Sequence, residues 1–370
     1  MIDTITIRLT APQFRITDHS KFCPDTHHFF HPPYAKMGGR AYIDSYQNPT
    51  KSELKEGKYK PQLTVRKRWQ DSEPVIFLYV QFSAPKILFG NNFDELKNTD
   101  LDEVVNVLNS RLSDMGVITS KSELLKAKVV KIHYSKNIVL PDYIIPSMLI
   151  GEVRKVDFNL HRELTERDYR NSGHSLRFHA KDFELILYDK KKDLEKSIEI
   201  DNDLQFELFE KIRRKRPFEV LRIELRLNSA NRIKDEVGIP KKDHTLERLF
   251  DSHISIKALQ RYWTQLYKGY RCLNYEIKDK EKFLASFLVN NPDARISKAF
   301  MIYALLEFLQ DIGTSKLRNI IDTKFSKRTW FSLKAGLSKY KLDGELPNNF
   351  DAISDSLKKY NPLNLKDYLT

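Results

Sequence analysis

Apolar residues recur at every second position in one segment after another up to about residue 227, and at helical spacing from about Pro240 onward. A period of two places alternate side chains on opposite faces of a strand, whereas a period near 3.6 makes one helical face apolar. Ile2–Leu9 sets Ile5, Ile7 and Leu9 against Thr4, Thr6 and Arg8, and Phe218–Leu227 alternates through Leu221, Ile223, Leu225 and Leu227. Gln62–Trp69 and Val75–Phe82, split by Gln70-Asp71-Ser72-Glu73-Pro74, read as a hairpin. Lys128–Tyr134 is a further strand, and Ser175–Tyr188 holds one or two more. Between them, Leu101–Met115 places Val104, Val105, Leu108 and Leu112 on one helical face, with Gly116 as a stop. Pro141–Val153 and Asp203–Arg214 also read as helices, Ala84-Pro85-Lys86 with Gly90-Asn91-Asn92 as a loop leaving the sheet, and Asn48–Lys60 as a polar loop. After Pro240 the segments His244–Tyr267, Lys280–Val289, Ser297–Leu309 and Ser315–Asp322 are all helical in spacing. The expected fold class is therefore α+β: an antiparallel-sheet domain over 1–238, then an all-helical domain over 239–370, divided where Gly238 and Pro240 punctuate the chain.

A chain of 370 residues, 41% of them hydrophobic, can bury a sizeable core and has room for two domains. No apolar run approaches the ~20 residues that span a bilayer, and Ala299–Leu309 carries Glu307. The first residues show no basic segment leading into an apolar core, so a secretory signal is not expected. Two cysteines far apart, Cys23 and Cys272, fit a reducing cytoplasm and exclude a cysteine-based metal site. The net charge of +13 attracts polyanions. Nucleic acid is the expected partner rather than a membrane, because the charge is spread along the chain instead of set on one amphipathic helix.

The most pointed chemistry is in Glu184-Leu185-Ile186-Leu187-Tyr188-Asp189-Lys190-Lys191-Lys192. On a strand, Glu184, Ile186 and Tyr188 share a face, and the tyrosine stands at the strand end beside a cationic cluster. A phenol is a weak nucleophile near neutral pH. Lys190 and Lys191 are expected to favour the phenolate and to neutralise charge on an attacked phosphate. A buried strand tyrosine followed by a solvated lysine turn would carry the same composition. His133 in Lys131-Ile132-His133-Tyr134, Glu224 in Arg222-Ile223-Glu224-Leu225-Arg226, and Glu184 are polar groups within apolar strands. One histidine with one or two carboxylates can hold Mg²⁺ or Mn²⁺ and leave positions for phosphate oxygens. The alternatives are a cross-strand ion pair for Glu224 and a solvent-facing histidine for His133. His174 and His179 flank the strand leading to Tyr188. His27-His28-Phe29-Phe30-His31, followed by Pro32-Pro33, reads as a surface loop. Late in the chain, Ser315–Asp322, Thr323-Lys324-Phe325 and Ser326–Ala335 resemble a helix-turn-helix over 315–336, capped by Ser326 and ended by Gly336. Trp330 and Leu333 would face inward, leaving Lys327, Arg328, Thr329 and Lys334 for phosphates or base edges. A basic helix solvated on one face is the plainer alternative.

These blocks, in order, resemble the gene II replication proteins of filamentous phages and the related phage and plasmid II/X-family initiators. The opening Met1-Ile2-Asp3 with its alternating strand is similar to that family's start. Val80-Gln81-Phe82-Ser83-Ala84-Pro85-Lys86-Ile87-Leu88 with Gly90-Asn91-Asn92 is similar to its Ser-Pro-Lys…Gly-His-Asn block, which marks Lys86, Asn91 and Asn92 as DNA contacts. Leu185–Lys190 resembles the strand bearing the family's active tyrosine, Leu221–Leu227 its Arg-Phe-Glu-Ala-Arg-type strand, and Phe325–Leu337 a late block with Trp near a helix start. The resemblance covers most of the chain. It departs at Lys131-Ile132-His133, where the family carries Asp in an Arg-Ile-Asp strand, and the histidine–hydrophobe–histidine motif of the wider nickase class is absent.

The resemblance implies a rolling-circle replication initiator in a bacterial or archaeal cytoplasm. It would nick one strand at an origin through a 5′-phosphotyrosine at Tyr188, use a divalent cation, and later rejoin the displaced strand. The expected partners are origin DNA, duplex and single-stranded, with a host helicase and polymerase. A tyrosyl ester keeps the phosphodiester energy, which agrees with the absence of a Gly-x-x-x-x-Gly-Lys-[Ser/Thr] loop. Two other functions fit the same sequence: a non-catalytic origin-binding regulator, and a metal-dependent nuclease using activated water.

Overall fold

The computed structural model describes residues 1–32, 34, 41–50, 52–53, 58–70, 73–141, 144–158, 166–197, 207, 210–211, 214, 218–270, 273, 275, 277, 279–343 and 350–368. It is a mixed helix-and-sheet protein with a large antiparallel sheet and helices filling the C-terminal part. Among the described residues eleven strands run β1 Ile2–Thr10, β2 Phe14–Ile16, β3 Tyr42–Gln47, β4 Gln62–Gln70, β5 Glu73–Ser83, β6 Val117–Thr119, β7 Lys128–Leu140, β8 Glu166–Arg170, β9 Ser175–Ala180, β10 Phe183–Asp189 and β11 Glu219–Leu227. Nine of them form one sheet in the order β3-β4-β5-β1-β7-β11-β10-β9-β8, with β2 and β6 pairing apart. Every pairing in the large sheet is antiparallel.

The two faces of this sheet differ sharply. Ile5, Ile7, Leu9, Val80, Phe82, Ile132, Leu185, Leu187, Leu221, Ile223 and Leu225 point to one side and are buried. Helices Ala84–Phe89, Pro146–Lys155, Ala230–Val237, Ser252–Tyr270 and Asp351–Lys359 pack on the sheet. The opposite face carries Thr6, Gln62, Thr64, Arg66, Gln81, His133, Arg222, Glu224, Arg226 and Tyr188, as strand alternation and register dictate. A small apolar cluster of Phe93, Leu194, Phe218, Val220, Leu363 and Leu365 covers one end of that polar face. β7 and β11 lie at the centre of the sheet, so the polar Ser135, Asn137, Arg222 and Glu224 are withdrawn from water.

Several expectations change. The division at 238/239 does not separate two cores: Leu259, Tyr262, Trp263, Ile353 and Leu357 share one apolar cluster with Ile132, Leu225 and Leu227. The reason is that a sheet with an apolar face must be covered, and the later helices cover it. Ala84–Phe89 is a helix with Gly90 in the left-handed conformation at its end (φ 71°), not a loop. The helix read over Pro141–Val153 begins at Pro146, and Ser175–Tyr188 is two strands. Within the helix expected at Asp203–Arg214 the described residues 207, 210–211 and 214 are helical and the others, like part of Asn48–Lys60 and Cys272, lie outside the described residues.

Candidate functional site

The centre of the polar face is built by four adjacent strands. On β11, alternation sends Arg222, Glu224 and Arg226 to this face, and the register sets Tyr188 opposite Arg222, Ser135 opposite Glu224 and His133 opposite Arg226. Asp3 of β1 joins them because the β1–β7 register shifts between Ile2 and Ile5. Ligand atoms of Asp3, His133 and Glu224 all lie within 4.8 Å of one another, the one such group of three among the described residues.

Glu224 is the hub, its side chain 2% exposed. Its Oε2 accepts the Tyr188 hydroxyl at 3.1 Å, and its Oε1 accepts Arg226 Nε at 2.7 Å, with His133 Nδ1 3.5 Å away. Arg222 gives Nη2 to Asp3 Oδ1 (2.7 Å) and Ser135 Oγ (2.9 Å), and Nη1 to the Asn92 carbonyl (2.7 Å). Burial alone would raise the Glu224 carboxyl, but the His133 contact and the charges of Arg226 and Arg222 outweigh it and hold the group well below the usual carboxylate range. The Tyr188 phenol moves the other way. Burial pushes it well above its ordinary value, with Arg222 opposing and Glu224 adding to the rise.

The two lysines expected to act on the phenol are both paired with carboxylates. Lys190 is fully buried and gives its charge to Asp193 at 2.8 Å, its Nζ lying 5.9 Å from the Tyr188 ring centre. Lys191 faces Glu195 (3.9 Å) and Glu210 (4.0 Å). Both begin a helix, Lys190–Ser197, whose first amides of Lys191 and Lys192 donate to Asp189 Oδ1, and Lys190 Nζ stays over the face of the Tyr188 ring. The cation that acts on the phenol is Arg222 of the neighbouring strand. Glu184 shares the face but stands outside the group of three, 3.5 Å from Arg226 and 3.8 Å from Arg177.

Asp3, Arg222 and Arg226 are the members that the sequence reading did not assign. Asp3 carried a signal: it has the parity of Ile5 and Ile7, and a carboxylate in a core register must either escape that face or find a cation. His174 pairs with Asp189 (3.0 Å) rather than with the group, and His179 lies on β9 opposite Glu184. His27–Phe30 forms a short helix in which His27 and His31 gather with His19, ring centres 4.8 to 5.9 Å apart.

Of the residues expected to contact DNA, Asn91 is buried, and its amide serves the turn that follows, accepting from Phe93 N and Asp94 N at 2.9 Å. Asn92 supplies its carbonyl to Arg222, and Lys86 is half-buried on the Ala84–Phe89 helix. The late helix pair exists: Ile296–Asp322 breaks at Gly313, and Lys327–Lys339 follows after a short turn, running beyond Gly336. Trp330 is buried and Leu333 half-buried, while Arg328 is exposed and Lys334 half-buried. The Lys327 side chain lies outside the described residues. No helix among the described residues is long and apolar enough to cross a membrane.

Compared with known proteins, the chain matches no family model, no curated protein and no solved structure.

Proposed function

We propose that this chain cuts and rejoins one strand of DNA as a rolling-circle replication initiator, with Tyr188 as nucleophile. The observation that carries the reading is the hydrogen bond from the Tyr188 hydroxyl to Glu224, a member of the Asp3–His133–Glu224 group, on the polar side of the sheet. Two carboxylates and an imidazole are a donor set suited to Mg²⁺ or Mn²⁺. When bound, such a cation would supply charge to the non-bridging phosphate oxygens. The chain's own part is positional. Glu224 holds the phenol by its proton and aims its oxygen, and Arg222 lowers the cost of losing that proton as a phosphate arrives. The Tyr188 Oη–P bond forms as the P–O3′ bond breaks. The phenolic proton passes to solvent and the departing 3′-oxygen takes one up. The resulting 5′-phosphotyrosine retains its ester energy, so rejoining reverses the step without a nucleotide cofactor.

The helix pair at 315–336 is the proposed origin reader, with the polar sheet face as the nicking surface. A host helicase and polymerase would follow. A second reading has its own support: Arg222 and Arg226 already neutralise both carboxylates, as they would in a non-catalytic origin-binding protein of the same fold. Mn²⁺ titration of the whole protein, followed by calorimetry, separates the two. Binding that Asp3→Asn and Glu224→Gln each abolish supports the nickase. A protein that takes up no Mn²⁺ but binds origin DNA supports the regulator. Cleavage that leaves no covalent species and survives Tyr188→Phe would point instead to an activated-water nuclease.

A further inference from the structure

A cleft of about 590 Å³ opens on the same polar face, beside the Tyr188–Glu224 centre. Lys131 lies two residues before His133 on β7, and Asn228 two residues after Arg226, so the cleft begins roughly 7 Å along the strands from the group of three. At the other end, beyond Tyr188, the Phe93–Leu365 cluster closes the face. A chain threaded past Tyr188 therefore has its open path toward the cleft. We infer that this cleft takes an unpaired nucleobase of the DNA strand lying in the site, with Lys131 on the adjoining phosphate.

The lining has the chemistry for it. Tyr46 is 47% exposed in the lining of the cleft, its hydroxyl donating to Asp44 at 3.1 Å, and its ring offers a platform for stacking. Arg66 is clamped by two 2.6 Å bonds to Asp44 and lies over Tyr42, 3.9 Å from the ring centre, which both cancels its charge and stiffens the wall. Gln81 donates to Gln62 at 3.2 Å, and these amides, with Asn228, present donors and acceptors of the kind that pair with base edges. Lys131 is exposed and has no ion-pair partner among the described residues, so it is the cleft's uncompensated charge. A stacking platform of this kind favours an unpaired base, because in a duplex both faces of the base are already covered by its neighbours.

The inference rests on the nickase reading, and its test can fail separately. The full chain carrying Tyr188→Phe is titrated into a short fluorescein-labelled oligothymidylate, and anisotropy is followed with unlabelled duplex as competitor. Binding should resist the duplex. Tyr46→Ala should weaken it roughly tenfold, Tyr46→Phe should leave it near the parent, and Lys131→Gln should weaken it with a shallower salt dependence. No binding of the oligothymidylate, displacement by duplex at equal concentration, or Tyr46→Ala and Lys131→Gln variants that bind like the parent would each overturn it. If the unsubstituted chain forms a covalent adduct while these variants bind normally, the cleft inference alone falls. If binding depends on the cleft but no strand gives an adduct, the nickase reading falls and the cleft stands.

Discussion

Glu224 meets Tyr188, His133 and Arg226 directly, and its charge acts on Arg222, so its removal has a cost beyond chemistry. Glu224→Ala leaves Arg222 buried without one of its two counter-charges, and breaking such a pair costs about 3–5 kcal/mol. The urea midpoint should fall accordingly, and an unchanged midpoint would mean that the arginines find other partners. The pH dependence has a definite sign. A carboxyl whose folded value is depressed contributes stability that is fully present above the unfolded value of about 4.3 and is lost as pH falls through the folded value. The stability gap between the parent and Glu224→Gln should therefore narrow on acidification below about pH 4. A gap that stays constant down to pH 3 would contradict the depressed carboxyl. Glu224, His133 and Tyr188 were legible because each is a polar residue in an otherwise apolar strand. Asp3 was legible only as a carboxylate in a core register, because its place in the group depends on a register shift that spacing does not fix. The carboxylate partners of the lysine cluster were not legible, because they depend on the helix that Asp189 starts there, while Lys190 stays over the Tyr188 ring.

Among the elements, the interrupted helix Ile296–Asp322 is the most exposed to test. Gly313 sits at φ 77°, and a Cβ there would stand 2.9 Å from the Lys155 carbonyl oxygen. Gly313→Ala should cost on the order of 1–3 kcal/mol through backbone strain and steric crowding together. A midpoint equal to the parent's would show that the break has another cause. That break lets the following turns pair with Lys327–Lys339. If this pair reads DNA, replacing Lys327 and Arg328 with Gln should weaken origin binding and lower the salt slope by up to about 2, near 0.9 for each phosphate left without its cation. An unaltered slope would remove the pair from the interface. Long periodic elements were readable in the sequence: Leu101–Asp114, β1 and β11 appear almost as their spacing specifies. Short strands such as β3 and β8 were not, since five or six mixed residues at a sheet edge carry little periodic signal.

For the whole molecule, the polar and apolar faces of one sheet decide the organisation. The hydrophobic period switches near Pro240, and apolar packing continues across it, with side chains of the later helices in one cluster with those of the sheet. A fragment of residues 1–238 should therefore expose the sheet's apolar side, bind hydrophobic dyes and aggregate, while the full chain unfolds in one transition. A soluble fragment with native-like near-ultraviolet dichroism would restore the two-domain view. Under the proposed function, the polar face would give a DNA strand somewhere to lie, with Tyr188 at one end and the Tyr46 cleft at the other. The most direct measurement is covalent trapping: the full chain is incubated with Mn²⁺ and a random-sequence pool of single-stranded DNA, then separated under denaturing conditions. The parent should yield a protein–DNA species whose modified peptide carries Tyr188, and Tyr188→Phe should yield none. No such species from the parent, or its persistence in Tyr188→Phe, would contradict the account.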